Sequence, residues 1–421
     1  MKNKKVLVLS NNCFSLSNSN GRTLGNLFEG WPKENLAQFC VIASDPNWSL
    51  CDNYYCLEDK NVLHAFLRLR KAIGRKLEQV QLSMNDTKRA LVRKKSIKKV
   101  LLRELVWSNR RWCSNAFVKW IDDFKPNLIV FQFGDSMFML DIAYYISKHR
   151  AIPLIIYNTE GYYFFNENWY NRGQLDNLFF KFYKKLYRKK VEKVMAETSH
   201  SFYLNDKLKK DYDEIFGNRS TVIYNSSSLV PCIAPFSSPS QVKFSYLGNL
   251  GIDRDSALIE VGEVLQGINP NYIIDVYGKA DFDMQKRFAK VPGINYKGLV
   301  SYEDVKRVIE ESDILFHVES ENGYKERQLQ YAFSTKIADS IASGKCFVLY
   351  APKELACSEY ISDTKAGWLA TNKDELRDVI VSILENPKER QEVLSRARSV
   401  ASQNHDYLAN AQKFQDIILS I

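Results

Sequence analysis

The chain has 421 residues and a net charge of +10, with 45% hydrophobic and 26% charged residues. Its length predicts two or three domains, and its composition excludes a disordered chain or a repeat array. No run of 18 or more apolar residues occurs, and the apolar run at 6–10 is too short for a signal peptide. The eight cysteines form no CxxC pair, so we expect a cytoplasmic protein without a zinc site.

The first half of the chain alternates apolar runs with helical patterns. The apolar runs predict strands at 5–10, 38–43, 127–132 and 153–157, and the segments 198–206 and 221–225 are expected to complete this domain. A polar, glycine-containing loop follows the first strand and leads into a helix near Thr23, as at the start of a Rossmann-type unit. Such alternation predicts parallel βαβ units, so residues 1–225 are assigned to one α/β domain.

Residues 226–241 contain three prolines and six serines, which predicts an interdomain linker. A second alternation follows, with predicted strands at 243–250, 271–278, 294–298, 313–320 and 345–352, the first ending in a loop. We assign 242–400 to a second Rossmann-like domain and expect the C-terminal helix, 401–421, to cross back to the first. Two such domains predict a ligand-binding crevice between them, at the carboxyl ends of their strands.

The most informative stretch is the predicted helix at 334–344. It opens with Ser334, Thr335 and Lys336, so free backbone N–H groups and a lysine charge would face a diphosphate. Asp339 follows one turn later, where a carboxylate could accept hydrogen bonds from ribose hydroxyls. The same residues would also fit an ordinary capped amphipathic helix.

Several segments resemble, in order, the GT-B glycosyltransferases of the large retaining family 4 (group 1), in particular bacterial surface-polysaccharide enzymes. They are YLGNLGIDR (246–254), VYGKAD (276–281), INYKGLVSYEDV (294–305), SDILFHVES (312–320) and STKIADSIASGK (334–345). The resemblance in the first half is looser and includes IPLIIYNTEG (152–161) and VIYNSSS (222–228). It implies the GT-B fold, two Rossmann-like domains that face each other across a cleft.

The resemblance also implies roles for individual residues of the second half. The matched donor-binding positions, in chain order, are Gly248, Asn249, Arg254, Tyr277, Gly278, Ser334, Thr335, Lys336 and Asp339. Arg254 and Lys336 are expected to stabilise the leaving diphosphate. The family's first motif glutamate falls here on Tyr331, so Glu319 or Glu321 would have to substitute for it.

In the first half, Gly21 and Arg22 occupy the loop expected to approach the donor, although a plain turn before a helix is equally compatible. Glu160 ends a predicted strand, where a carboxylate could orient an acceptor hydroxyl or stabilise positive charge at the anomeric carbon. A solvated loop glutamate is the alternative. His317 could reach the donor sugar or simply pack within its strand.

Basic residues concentrate in a predicted helical insertion at 62–120. Between 62 and 119 there are sixteen Lys or Arg residues and three acids, and 172–193 has eight basic residues and two acids. Two apolar helical faces are predicted, at Phe66–Val80 and Ile97–Leu105. Such helices suit an anionic membrane surface, on the inner face of the cell membrane. Packing against the first domain is the alternative, and nucleic acid ranks lower because no nucleic-acid-binding module accompanies the segment.

These observations predict an enzyme: a hexosyltransferase-like glycosyltransferase that moves a sugar from a nucleotide-sugar donor to a hydroxyl of a lipid-linked glycan, with retention implied by the family. No DxD-like metal motif is present, so we expect metal-independent catalysis without a cofactor. The alternative is a catalytically inactive GT-B-like subunit that binds a glycan or a partner, which the missing first glutamate keeps open.

Overall fold

The computed structural model describes residues 4–79, 96–168, 170, 174–217, 219–232, 235–320 and 329–421. Two compact units divide the chain. Unit 1 comprises Met1–Ile223 and Ala411–Ile421, and unit 2 comprises Tyr224–Asn410. Residues 226–241, the predicted linker, are bonded into unit 2, for example by the Cys232 N–H, which donates to Ser343 O (2.7 Å).

Unit 1 is an α/β unit built on one sheet. Its strands are β1 (Val6–Asn12), β2 (Leu36–Ile42), β3 (Asn53–Cys56), β4 (Arg75–Lys76), β5 (Leu128–Gln132), β6 (Leu154–Asn158), β7 (Thr198–Tyr203) and β8 (Ser220–Val222). Its helices are α1 (Ser19–Asn26), α2 (Asp59–Leu67), α3 (Ile97–Trp107), α4 (Asn115–Phe124), α5 (Met137–Arg150), α6 (Gln174–Met195) and α7 (Asp206–Phe216).

The sheet of unit 1 has the order β4-β3-β2-β1-β5-β6-β7-β8, and its pairs are parallel except β3–β4. Strand β1 lies between β2 and β5, with Val6 paired to both Leu36 and Leu128. The near-continuous apolar runs of β1, β5 and β6 are buried because helices cover both faces of such a sheet.

Unit 2 repeats the pattern on a six-stranded sheet. Its strands are β9 (Phe244–Leu247), β10 (Ile274–Tyr277), β11 (Ile294–Gly298), β12 (Ile314–Val318), β13 (Cys346–Tyr350) and β14 (Trp368–Ala370). Its helices are α8 (Arg254–Ile268), α9 (Phe282–Phe288), α10 (Tyr302–Glu311), α11 (Thr335–Ala342), α12 (Ala356–Thr364), α13 (Lys373–Glu385) and α14 (Pro387–Val400). The order is β11-β10-β9-β12-β13-β14, and every pair is parallel.

The last helix, α15 (Tyr407–Ser420), follows a π-helical turn at Ala401–His405. From Ala411 onwards it belongs to unit 1, where Phe414 and Ile418 are buried in the core around β1. The turn is fixed by the buried His405, whose Nδ1 hydrogen-bonds Asn225 O (2.7 Å) and whose Nε2 bonds Tyr360 Oη (2.8 Å).

The predicted helical face at Phe66–Val80 is wrong. Helix α2 ends at Leu67, Leu69 adopts a left-handed φ of 51°, and Arg75–Lys76 form a strand that pairs with β3. The backbone at Gly74 packs closely against β3, since a Cβ there would lie 2.3 Å from the Tyr55 ring. Val80 lies outside the described residues. The face at Ile97–Leu105 does form part of a helix, α3.

Across the described residues, every helix is too short or too polar to cross a bilayer.

Candidate active site

Both sheets reverse their winding direction at one point. The strands that follow β1 and β9 in the chain lie on one side of them, while β5 and β12 lie on the other. At such a point the loops after neighbouring strands diverge and leave a crevice at the carboxyl ends, where open α/β sheets bind ligands. The two candidate sites are therefore the ends of β9 and β12 in unit 2 and of β1 and β5 in unit 1.

In unit 2, the loops after β9 and β10 meet at two glycines. The Gly248 N–H donates to Tyr277 O (3.0 Å), and a Cβ on Gly278 would lie only 2.3 Å from Gly248 O. The close approach therefore requires glycine at 278. Tyr277 is half-buried and packs beside the cluster of Leu247, Val308, Ile309 and Leu315. These loops present main chain at the strand ends, as binding a flat base and its phosphates requires.

The turn that leads from β9 into α8 is strained. Ile252 and Asp253 both adopt left-handed conformations, with φ of 63° and 57°, which costs about 1–2 kcal/mol per non-glycine residue. Just before them, Asn249 accepts the Gly251 N–H through Oδ1 (2.9 Å). The strained turn places Arg254 at the first position of α8, with its side chain directed to the end of β12.

Arg254 forms a two-pronged ion pair with Glu319. Its Nε donates to Oε2 (2.9 Å) and its Nη2 to Oε1 (2.8 Å), while Nη1 lies 3.4 Å from Asn249 O. The pair is nearly dry, since the side chains of Arg254 and Glu319 are 11% and 1% exposed. His317, inside β12, donates from Nε2 to Glu319 Oε1 (3.0 Å). The three residues form one chain of charge-assisted hydrogen bonds.

The environment of Glu319 keeps this carboxylate ionised. Burial alone would raise the pKa of Glu319, but the hydrogen bond from His317 and the ion pair with Arg254 outweigh burial and lower it. Burial disfavours the charged guanidinium of Arg254, yet the carboxylate of Glu319 raises its pKa above the usual value. The site therefore holds a fixed cation whose counter-charge is already in place.

A cavity of about 240 Å³ lies beside this pair at the ends of β12 and β13. Its wall is polar on the side of α8 and the β12 loop, with Asp253, Ser256, Glu260 and Ser320. Tyr350, Ala351 and Pro352 form the wall after β13, and Glu319 also reaches the surface of this cavity. Its size suits a monosaccharide-sized polar group rather than a nucleotide.

The helix predicted to face the diphosphate is α11, capped by Ser334. The Ser334 hydroxyl accepts the Lys336 N–H (3.2 Å), and Thr335 opens the helix. Lys336 Nζ lies 3.3 Å from Asp339 Oδ2, and Asp339 Oδ1 accepts a hydrogen bond from Ser227 (2.9 Å). Both oxygens of Asp339 are thus engaged inside unit 2, so Asp339 holds the lysine and the 227 turn in place.

Tyr331, the residue at the position of the expected glutamate, is only 2% exposed. Glu319 instead supplies a buried carboxylate at the end of β12, bonded to Arg254. Glu321, the other candidate substitute, lies outside the described residues. Among the residues the structure describes, no group of three His, Cys, Asp or Glu side chains is arranged to hold a metal ion.

In unit 1, a pocket of about 520 Å³ lies at the ends of β1, β5 and β6. Four amide side chains contribute to its wall: Asn11 and Asn12 at the end of β1, Asn20 in α1 and Gln132 at the end of β5. Within the described parts of the chain, the buried Oδ1 of Asn11 has no hydrogen-bond partner. A pocket that combines several amides with an aromatic ring such as that of Tyr162 suits a carbohydrate.

Four carboxylates line the same pocket: Asp59, which pairs with Arg103 (2.8 Å), and Glu104, Asp135 and Glu160. Burial, followed by the charge of Asp135, raises the pKa of Glu160 to about 7, although Glu160 keeps some surface open to the pocket. Burial also raises the pKa of Glu104 to about 7, and Glu104 accepts the N–H groups of Met137 (2.9 Å) and Phe138 (3.0 Å) at the start of α5. Glu160 can therefore exchange a proton near neutral pH.

Gly21 and Arg22, which were predicted to lie in a loop, instead belong to the first turn of α1 because the helix already begins at Ser19. A Cβ on Gly21 would lie 2.3 Å from Cys13 O, so glycine lets α1 pack against the loop after β1. The Arg22 N–H donates to Asn18 O (2.8 Å) within the first turn of α1. Asn20, in the same turn of α1, lines the pocket.

Sequence reasoning missed Asp135, Glu104 and the amides of the unit 1 pocket. Asn11, Gln132 and Asp135 belong to or directly follow the ends of β1 and β5, and that position was the available signal. Glu104 had no such signal, because α3 reaches the pocket from the basic insertion.

Comparisons with a family model and with solved structures both find glycosyltransferases. The family described as glycosyl transferase-like matches residues 262–416. No curated protein sequence matches the chain. HepE from Anabaena in complex with UDP aligns over 99% of this chain and 100% of its own, with 14% identity and a TM-score of 0.62. Sucrose-phosphate synthase from Thermosynechococcus elongatus aligns over 99% and 98%, with 10% identity and a TM-score of 0.61.

The apo form of the lipopolysaccharide outer core galactosyltransferase WaaB aligns over 99% of this chain and 100% of its own, with 12% identity and a TM-score of 0.58. Similarity at such identities establishes a shared fold, and the family match covers much of unit 2. Taken with the two Rossmann-ordered sheets, these matches show that the chain has the GT-B fold and that its residues 262–416 are similar to a glycosyl transferase-like family.

Proposed function

We propose that this protein transfers a sugar, with retention, from a uridine diphosphate sugar bound by unit 2 to a hydroxyl of a lipid-linked glycan bound by unit 1, during surface polysaccharide synthesis. The observation that carries the proposal is the buried, pre-oriented Arg254 at the winding reversal of unit 2, next to the Gly248–Gly278 contact. A fixed cation beside exposed main chain is what a nucleoside diphosphate requires.

The choice of uridine diphosphate rests on the structural relatives. HepE is described in complexes with UDP and with UDP-glucose, and WaaB and WaaG are described as lipopolysaccharide enzymes. The identities are 12–14%, so these names support the donor and acceptor classes of the proposal and no finer detail.

Departure of the diphosphate needs positive charge that is already oriented. Arg254 supplies it from α8, and the capped N-terminus of α11 with Lys336 supplies a second source. Glu319 keeps the guanidinium of Arg254 from reorganising as charge develops on the leaving group, which is how preorganised dipoles accelerate transfer. We propose that these residues act without a metal ion or a cofactor.

The unit 1 pocket would hold the acceptor glycan. Its amides can form hydrogen bonds with sugar hydroxyls. Glu160 would orient the attacking hydroxyl or stabilise positive charge at the anomeric carbon. The leaving phosphate itself can accept the hydroxyl proton, so Glu160 need not be the final base.

The basic helices would bring the enzyme to its lipid-linked acceptor on the inner face of the cell membrane. Helix α6 exposes Leu175, Leu178, Phe179 and Phe182, a spacing of three and four residues that places them on one face. Lys181 and Lys185 are exposed on the same helix, and Lys98 of α3 lies over the ring of Phe179 (5.9 Å). Exposed apolar and basic side chains together suit an anionic membrane surface.

The decisive experiment offers the full-length protein a panel of nucleotide-sugars with lipid-linked glycan extracted from membranes. We expect release of UDP from one donor, dependent on the acceptor, and an α-anomeric product from an α-linked donor by NMR. If no donor is consumed and none raises the melting temperature, the proposal is wrong, and a glycan-binding or partner subunit would be the remaining function.

A further inference from the structure

Helix α6 carries four polar side chains that hydrogen-bond to loops of unit 1. They are Tyr183, Lys184, Tyr187 and Arg188, a spacing that places all four on one side of the helix. Tyr183 and Tyr187 are fully buried and Lys184 is 5% exposed. Each of the four bonds a loop that lines the unit 1 pocket or continues from its wall.

The two tyrosines hold the loop after β5. The Tyr187 hydroxyl donates to Gly134 O (2.8 Å), and the Tyr183 hydroxyl donates to Asp135 O. Gly134 and Asp135 are both in the pocket wall. The backbone that carries the Asp135 carboxylate is therefore fixed by α6.

The two basic side chains hold the loop after β6. Lys184 Nζ donates to Tyr162 O, Arg188 Nε donates to Tyr163 O (3.1 Å), and Arg188 Nη2 donates to Asn166 Oδ1 (2.6 Å). This loop begins at Glu160, whose side chain faces the pocket. Four neighbouring side chains of one helix thus fix both loops that present the carboxylates.

A buried lysine costs more free energy than an apolar residue would at a position that only fills space. Burial, and then the charge of Arg188, lowers the pKa of Lys184 to about 6, so the amine is largely neutral at pH 7. A buried amine is tolerated when its hydrogen bond offsets the loss of hydration. The bond from Nζ to Tyr162 O is therefore the feature that favours lysine here over an apolar residue.

We propose that Lys184, together with Tyr183, Tyr187 and Arg188, is a positioning residue that holds the Asp135 and Glu160 loops in the geometry needed to accept the glycan. The expected kinetic effect rests on the proposed function, whereas the structural role of α6 does not depend on it. The opposite face of α6 carries the exposed apolar residues, so one helix connects the outer surface with the acceptor pocket.

The test compares Lys184→Met with Lys185→Met, its exposed neighbour on the same helix. Methionine keeps the unbranched stem and removes only the donor. Hydrogen exchange of the full-length protein, without any ligand, should show the Phe164 amide, which donates to Gly161 O (2.9 Å), exchanging about tenfold faster in Lys184→Met. Lys185→Met should match the wild type.

The kinetic arm uses UDP-glucose and membrane-extracted lipid-linked glycan. Lys184→Met should raise KM for the glycan or lower kcat by about tenfold, corresponding to the loss of one buried hydrogen bond, with KM for the donor unchanged. Identical behaviour of the two variants in both arms would overturn the proposal.

Should Lys184→Met fail to fold, Tyr187→Phe keeps the ring and removes only the bond to Gly134 O. It should speed exchange in the loop after β5, and a wild-type exchange profile would overturn the proposal. A wild-type enzyme that transfers no sugar would contradict the proposed function, while the exchange arm would still decide the role of α6.

Discussion

The two units share a strand order around their winding reversal but treat their carboxylates in opposite ways. In unit 2, Glu319 is paired with Arg254 and bonded by His317, and its pKa is lowered. In unit 1, Glu160 and Glu104 are removed from water without a comparable ion pair to an arginine. Both of their pKa values rise to about 7. One fold thus makes a fixed-charge site and a proton-exchanging site.

The difference follows from which side chains reach each crevice. In unit 2, the turn before α8 aims an arginine at the end of β12, so a cation balances the acid. In unit 1, Asp135 lies near Glu160, and like charge adds to the effect of burial. The contrast matches an anionic donor in one unit and a neutral hydroxyl acceptor in the other.

Removal of the counter-charge in unit 2 should have the largest effect. Glu319→Ala leaves Arg254 buried and unpaired, and we expect a loss of about 3–5 kcal/mol in unfolding free energy. Glu263→Ala, which breaks the exposed pair with Lys373, should cost at most about 1 kcal/mol. Urea unfolding of both variants tests this contrast, and equal losses would show that the Arg254–Glu319 pair is not balanced as described.

Loss of the proton-exchanging acid in unit 1 should come next. Glu160→Gln should lower kcat by about 10²–10⁴-fold with KM for the donor unchanged, if the carboxylate acts on the acceptor. Glu214→Gln, on the exposed side of α7, provides the control. Full activity of Glu160→Gln in a transfer assay would remove Glu160 from the mechanism.

The same residue predicts a pH dependence. If the ionised Glu160 is the active form, activity should rise with pH through an apparent pKa near 7 and lose this step in Glu160→Gln. Stability should change in the opposite direction. Because the folded pKa is raised, the contribution is fully present below the unfolded value of about 4.3 and is lost as pH rises through 7. Thermal unfolding from pH 5 to 8 would reveal a shallower fall for Glu160→Gln.

Gly278→Ala should have an intermediate effect. The added Cβ would meet Gly248 O at 2.3 Å, so the two loops must separate, at a cost of about 1–3 kcal/mol and with weaker UDP binding. Gly267→Ala, within α8, meets Arg377 only at 3.6 Å and should be neutral or stabilising by up to about 1 kcal/mol. Calorimetry distinguishes the signs, and an unaffected Gly278→Ala variant would mean that the contact is dispensable.

Lys336→Ala should weaken UDP binding about tenfold, corresponding to the loss of one charge-assisted contact of about 1.4 kcal/mol. Lys297→Ala, on the exposed edge strand β11, is the matched control. Titration calorimetry is the measurement, and unchanged affinity would place the diphosphate away from α11.

The surface of α6 should give the smallest change per residue. Phe182→Ser should reduce flotation with anionic liposomes severalfold through lost apolar burial, and binding should weaken with salt. Leu408→Ser changes another exposed apolar side chain, outside α6, and should have no effect. If the wild-type protein fails to bind anionic liposomes at every salt concentration, the proposed membrane location is wrong.

Much of the fold was predictable because buried parallel strands are continuous apolar runs. β1, β5, β6, β12 and β13 all lie where such runs occur. β3 was missed because Asn53–Cys56 is short and carries no such run, and the false helix after Leu67 arose because apolar spacing does not reveal that Arg75–Lys76 pair with β3.

Some residues of the candidate sites could also be predicted from the sequence, while others could not. Arg254, Gly278 and Lys336 stand in segments that resemble a known family, so their positions could be inferred. Their partners could not, since Arg254 and Glu319 are 65 residues apart and Glu104 is 33 residues from Met137. Sequence shows which residues end strands, whereas only the fold shows which ends meet.

The most direct test of the central claim is hydrogen exchange of the full-length protein with and without UDP. We expect protection in unit 2, in the loop from Gly248 to Arg254 and at the start of α11, with the unit 1 pocket unchanged. UDP that binds without protecting either segment, or that fails to bind at millimolar concentration, would contradict the assignment of the donor site.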